Sequence, residues 1–200
     1  MKSTLAIAMG LEAVHNGLDT VLIDLDTEHR TTSDFIKQRK EYGIEPVVTV
    51  HAVDSAKEAL DRFDGEQLYI IDAPSRATSA TSMIAKGVDL IIQPTTPGKK
   101  DIDLALKTFY QLAEDGVPVE KMLFVLTRVG SAPELEKAIK YINLAEINGQ
   151  KIRVLSSAIW EKVAYRSSIN DGLAITETSY QTLNDNAKAV IHQILTVLIK

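Results

Sequence analysis

Short runs rich in β-branched and aliphatic residues alternate with longer amphipathic stretches along the whole of this 200-residue chain. That alternation is the pattern of a mostly parallel sheet whose crossover connections are helices lying on both faces, an α/β architecture. The runs that read as strands cover residues 20–25, 47–51, 68–72, 90–94, 122–127 and 152–156. Several are apolar almost throughout, as in Tyr69-Ile70-Ile71 and Leu90-Ile91-Ile92, which fits strands buried on both sides. Between them, helical spacing predicts helices over 3–16, 32–42, 54–63, 79–86, 101–114, 133–145, 160–170 and 183–199. Gly17, Gly43, Gly116 and Gly172 suit helix ends, Pro133 suits a first helical turn, and Ser55 with Glu58 has the spacing of a capping box.

A length of 200 residues with 45% hydrophobic residues and net charge −5 describes one domain, 1–200, large enough for a continuous core. Cysteine is absent, so disulfides and thiolate chemistry are excluded and a reducing cytoplasm is the expected location. His15, His29, His51 and His192 are scattered without an H-x-x-x-H pair, which argues against zinc. No stretch approaches the roughly 20 apolar residues of a membrane span, and the first residues lack the layout of a signal peptide. The mildly acidic balance gives no general pull towards nucleic acid, so DNA contact requires a local basic patch.

The polar residues fall where such a sheet does its chemistry, beyond the carboxyl ends of its strands. Asp24 and Asp26 end one strand, Asp72 ends another, and Thr127-Arg128 ends a third. Lys2-Ser3-Thr4 opens the first helix, where free N–H groups and the helix dipole favour phosphate. Lys followed by Ser is also the tail of the phosphate-binding loop G-x-x-x-x-G-K-[ST]. That helix leads directly into the strand carrying Asp24 and Asp26, so connectivity brings basic and acidic groups to one edge.

With these residues in this order, the chain resembles a ParA/MinD-type ATPase of the deviant Walker A class, closest in size to the small plasmid-partition ParA proteins. In that family K-G-G-x-G-K-[ST]-T precedes a helix and a strand ending D-x-D, matched here by Lys2-Ser3-Thr4 and Asp24-Leu25-Asp26. The Walker B Asp resembles Asp72 in Leu68-Tyr69-Ile70-Ile71-Asp72, the following strand and proline loop resemble the stretch from Asp89 to Asp101, and the segment from Ala164 past Glu177 is similar to the region before the family's last helix. The resemblance implies a P-loop NTPase fold using ATP and Mg²⁺. It implies that Lys2 binds the β/γ-phosphates, Ser3 is a metal ligand, Thr4 supports the α-phosphate, Asp24 and Asp72 hold the metal's hydration shell, and Asp26 orients or activates the attacking water. It further implies a homodimer switched by ATP, a ParB-like centromere-binding partner and binding to nonspecific DNA with nucleoid association; no membrane partner is expected, on the composition of the last helix described below.

Two departures accompany the resemblance. The family's first strand, the glycine-rich part of its loop and its signature Lys are expected upstream of Met1, through a start assigned too late or a shortened sequence. The domain is thus read as N-terminally truncated, and 1–200 alone is expected to bind Mg-ATP weakly or not at all. Arg128 occupies the nucleotide-binding position where many relatives carry a base-reading Asn, which leaves GTP open. Two further readings stand beside the ATPase: a non-hydrolysing ParA-like interaction module, and an unrelated doubly wound nucleotide- or cofactor-binding enzyme.

Lys137, Lys140, Lys151, Arg153, Lys162 and Arg166 cluster late in the chain as a candidate DNA-facing strip, though charged helix residues are more often a solvated face. Trp160 reads as a packing anchor. The last helix carries Leu183, Ala187, Val190, Ile191, Ile194, Leu195 and Leu198 on one broad stripe. With only Lys188 and Lys200 cationic, that stripe reads as core rather than as a membrane-binding face.

Overall fold

The computed structural model describes residues 1–63, 65, 67–74 and 79–199. In chain order the elements are α1 (Lys2–His15), β1 (Thr20–Asp24), α2 (Thr31–Glu41), β2 (Thr49–Ala52), α3 (Ala56–Leu60), β3 (Leu68–Asp72), α4 (Ser79–Gly87) and β4 (Ile91–Thr95). They continue with α5 (Lys99–Glu114), a 3-10 turn, β5 (Met122–Val129), α6 (Ala132–Ile142), β6 (Glu146–Ile147), β7 (Gln150–Lys151), β8 (Arg153–Trp160), α7 (Val163–Asn170) and α8 (Gln181–Ile199).

Six strands run parallel, as their apolar runs require, but in two sheets: β2-β1-β3 and β4-β5-β8. The two-residue side-chain period of a strand sorts residues to opposite faces. Leu22, Ile70, Leu123 and Val125 enter one core with residues of α1, α2 and α8. On the other face, Val21 and Ile23 pack with α3 and α4, while Phe124 and Leu126 pack with α5 and α6. Both sheets are therefore covered on both sides. The α8 stripe serves as core: Ala187, Val190, Ile191 and Ile194 are all buried. Lys200 lies outside the described residues.

Helix α1 crosses β1 closely. A Cβ at Gly10 would stand 2.7 Å from Leu22 Cδ2, so the absence of a side chain sets that approach. At the far end of the core, the fully buried guanidinium of Arg39 on α2 donates to Glu177 Oε2 at 2.6 Å and Oε1 at 2.7 Å, and to Pro46 and Gly172 carbonyls at 2.8 and 3.0 Å. This bidentate pair fastens α2 to the loop before α8.

Several boundaries differ from the sequence expectation. Trp160 closes β8 instead of opening a helix, because the strand stays paired with β5 as far as Val129. Helix α3 is only five residues long. Its expected capping box is half present: Ser55 Oγ accepts from Glu58 N–H at 3.1 Å, while the Glu58 carboxylate accepts from Asp54 N–H at 3.3 Å. Helix α6 stops at Ile142, and 146–151 forms an unanticipated hairpin. Its turn is Asn148-Gly149 with φ of 52° and 74°, the positive pair that favours Asn-Gly.

Candidate functional site

Parallel strands place Asp24 and Asp72 at the same edge, and the register puts them directly opposite each other on β1 and β3. Both are buried. Ser3, in the first turn of α1, hydrogen-bonds the Asp72 carboxylate, and the charge of Lys2 acts on it as well. Thr32 Oγ1 donates to Asp72 Oδ2 at 2.7 Å. Burial is the largest influence on Asp72 and raises its pKa; the nearby Asp24 charge adds to the rise, while the Ser3 and Thr32 bonds and Lys2 oppose it.

Asp24 is held differently. Its Oδ2 accepts the Ser33 backbone N–H at 2.8 Å and its Oδ1 accepts that of Asp26 at 3.2 Å. The carboxylate thereby ties the end of β1 to the start of α2. Asp26 lies on the same rim, but its Oδ1 accepts the backbone N–H groups of Glu28 and His29, both at 3.2 Å, and lies 3.3 Å from His29 Nδ1. Desolvation alone would raise its pKa; the His29 and Glu28 contacts outweigh it and hold the carboxyl below its ordinary value.

Thr4 and Arg128 lie apart from this acidic pair, lining a cavity of about 190 Å³ together with Met1, Trp160, Lys162 and Arg166. The Met1 amino group feels the charges of both Arg128 and Asp72, and burial, followed by Arg128 and Lys2, lowers its pKa. Met1 therefore links the two clusters. Arg128 is exposed and has φ of 54°, at a break in register where Thr127 pairs Ile159 and Val129 pairs Trp160. A bulged residue in the left-handed region stores roughly 1–3 kcal/mol of strain, and here that residue lines the cavity beside Met1 and Lys162.

Sequence reasoning missed Thr32 and Arg30. Arg30, itself at φ 47°, donates to Asp24 and Val53 carbonyls at 2.7 and 2.9 Å and pairs with Asp54, clamping the ends of β1 and β2. Neither set of contacts has a local signal, since Asp72 lies forty positions from Thr32, and Val53 and Asp54 lie past the end of β2. The candidate basic strip divides. Lys151 and Arg153 sit at the amino end of β8, paired with Glu146 and the Glu120 carbonyl, whereas Lys162 and Arg166 stand past its carboxyl end. Trp160 packs against the core of α5 and α6, as its packing role required.

Among the described residues no group of three or more His, Cys, Asp or Glu side chains is arranged to hold a metal. None of the described helices is long and apolar enough to cross a membrane.

Parallel sheets flanked by helices, with the acids on the carboxyl rim, define a doubly wound fold of the P-loop NTPase class. More narrowly, it is the fold of MinD/ParA-type ATPases. The cell division ATPase MinD of Pyrococcus furiosus superposes with a TM-score of 0.74 at 15% identity, covering 98% of this chain and 93% of that one. The septum site-determining protein MinD of Pyrococcus horikoshii OT3, complexed with Mg-ADP, gives 0.72 at 14% identity over 96% and 90%. A putative plasmid partition protein of Borrelia burgdorferi B31 bound to AMPPNP gives 0.65 at 16% identity over 96% and 93%. No protein-family model matches the chain, and no curated protein matches it in sequence.

Proposed function

We propose that this chain is a ParA-like ATPase acting as an ATP-dependent dimerisation switch in plasmid or chromosome partitioning, built as one nucleotide-binding domain. One observation carries the reading: Ser3 at the amino end of α1 hydrogen-bonds Asp72, which stands in register with Asp24. A hydroxyl and two carboxylates are hard oxygen donors of the kind that suits Mg²⁺, which keeps several waters and takes one or two carboxylates beside substrate phosphates. Two like charges buried side by side are also relieved by a divalent cation.

When bound, Mg-ATP supplies the phosphoryl group and a cation that absorbs its charge. Lys2 and the amino-terminal N–H groups of α1 would bind the β/γ-phosphates, and Thr4 would support the α-phosphate. Ser3, Asp24 and Asp72 would hold Mg²⁺ and its waters. Asp26 would orient the attacking water, and Arg128 would contact the nucleotide. The partners in this reading are a second copy, a ParB-like centromere-binding protein and nonspecific DNA, in the cytoplasm and on the nucleoid when DNA is bound.

The test is isothermal titration with Mg-ATP, followed by a turnover assay. It compares residues 1–200 with a version extended upstream through Lys-Gly-Gly-x-Gly ahead of Lys2. The extended chain is expected to bind and hydrolyse ATP, with much weaker binding by 1–200, and Asp26→Ala is expected to bind without turnover. Failure of the extended chain to bind, or binding indifferent to both Asp24→Ala and Asp72→Ala, overturns the reading. A second reading, the non-hydrolysing interaction module, is favoured by the Asp26 carboxylate being engaged by its own loop; binding without turnover in the extended chain would select it.

A further inference from the structure

The dipeptide Asn-Gly occurs twice in the chain, as Asn16-Gly17 and as Asn148-Gly149. All four residues are exposed, and a Cβ at either glycine would meet nothing within 4 Å. Open space therefore does not separate the two sites, but hydrogen bonding does. Asn16 closes the carboxyl end of α1, where its Nδ2 donates to the Glu12 carbonyl at 2.7 Å and to Glu12 Oε1 at 3.2 Å. Gly17 N–H donates to the Val14 carbonyl at 2.9 Å. Glu12 is itself buried, so the Asn16 carboxamide is tied to the core.

Asn148 and Gly149 stand between β6 and β7, whose pairing closes at Ile147 and Gln150. Among the described residues, neither the Asn148 carboxamide nor the Gly149 N–H makes a hydrogen bond. The base of the hairpin is held, with Tyr110 donating to the Glu146 carbonyl at 3.2 Å and Lys151 Nζ 2.8 Å from Glu146 Oε1. Its tip is not. The strands are two residues each, so little pairing opposes a local opening of the turn.

We propose that Asn148 is a site of spontaneous deamidation and that Asn16, with the same following residue, is protected from it. Asparagine is among the thermally labile side chains, and a following glycine leaves its own nitrogen uncrowded. The Gly149 nitrogen gives up its proton to solvent base and attacks Asn148 Cγ. A new C–N bond closes a succinimide ring, and the side-chain nitrogen takes up a proton and leaves as ammonia. Water then opens the ring at either carbonyl, giving aspartate on the original backbone or isoaspartate, whose chain runs through the side-chain carbon. One water enters, one ammonia leaves, and nothing is oxidised or reduced. At Asn148 only the turn backbone has to rotate for the ring to close. At Asn16 two carboxamide bonds and the Gly17 N–H bond must break first. Each event at 148 moves the net charge from −5 one unit further negative, and isoaspartate lengthens a turn whose length sets the register of its strands.

The experiment holds residues 1–200 in warm, mildly alkaline buffer, folded and in urea, and follows each asparagine by tryptic digestion and mass spectrometry. Cleavage after Lys140 and Lys151 releases a peptide that also contains Asn143, followed by Leu144, as an internal control. In the folded chain, conversion at 148 is expected to be about tenfold or more faster than at 16 and 143, with both aspartate and isoaspartate formed. In urea, 16 is expected to draw level with 148 while 143 stays slow. Equal rates at 16 and 148 in the folded chain overturn the proposal, as does a folded chain in which 148 is stable while urea releases it. Aspartate without isoaspartate would mark direct hydrolysis and overturn the ring mechanism. If 148 outpaces 16 by the same factor in urea, the flanking sequence and not the fold selects the site, and the protection assigned to Asn16 is wrong.

Discussion

Asp24 and Asp72 face each other across adjacent parallel strands, yet they are held by opposite kinds of contact. Asp24 is satisfied by backbone N–H groups of Asp26 and of Ser33 in the first turn of α2, whereas Asp72 is held by the side-chain hydroxyls of Ser3 and Thr32 on two different helices. One carboxylate is fixed by local chain geometry, and the other reports whether α1 and α2 are docked.

The difference sets a pH dependence for Asp72. Its folded pKa is raised, so it contributes stability in the protonated form, below its unfolded pKa, and that contribution is lost as pH rises through the folded value. Asp72→Asn keeps an acceptor for Thr32 and removes the buried charge. Its urea midpoint is expected to equal or exceed that of the parent at pH 7, with the gain shrinking as the pH enters the carboxylate range. A loss beyond about 1 kcal/mol at pH 7, of the size of a hydrogen bond, would show that the charge itself is needed.

Asp26 behaves in the reverse sense. Its folded pKa is lowered, so its contribution is present above the unfolded pKa and fades as pH falls through the folded value. Asp26→Ala removes the acceptor of the Glu28 and His29 N–H groups and is expected to cost about 0.5–2 kcal/mol at pH 7. The cost should vanish in acid, when thermal unfolding of the two proteins is compared from pH 7 downward.

Breaking the Arg39–Glu177 pair should be the most damaging polar change. Arg39→Ala removes four hydrogen bonds from a fully buried position and leaves Glu177 without its cation. About 3–5 kcal/mol is expected from equilibrium urea unfolding. Glu177→Gln keeps one acceptor for Arg39 and should cost less; if both variants lie within 1 kcal/mol of the parent, the pair does not hold α2 to the final loop.

Gly10 tests the approach of α1 to β1. Alanine gains about 1 kcal/mol of helix propensity, but its methyl group meets the fully buried Leu22 side chain, and overpacking costs about 1–3 kcal/mol. Gly10→Ala is expected to be neutral to destabilising by about 2 kcal/mol, and Gly10→Val to be worse. A stabilised alanine variant would mean that Leu22 can give way.

The periodicity of the chain was enough for the order of helices and strands, for the parallel sense of the sheet and for the rim on which Asp24, Asp26 and Asp72 would end. These follow from local rules: apolar runs need cover on both faces, and parallel strands send their carboxyl ends to one side. The hairpin around Asn148-Gly149 lies outside these rules. Its two strands are only two residues each, too short for an alternation to register.

What tertiary structure alone decided are the relationships between distant segments. That Thr32 would bond Asp72 depends on how α2 docks over β3, forty positions on. That Trp160 continues a strand depends on β5 beside it. The split of the basic residues between the two ends of β8, and the division of the strands into two sheets, are likewise properties of assembled elements. A sequence encodes the periods that make each element. Which groups finally meet is set by close packing between elements, where one register or one docking angle selects the contact and no local pattern carries it.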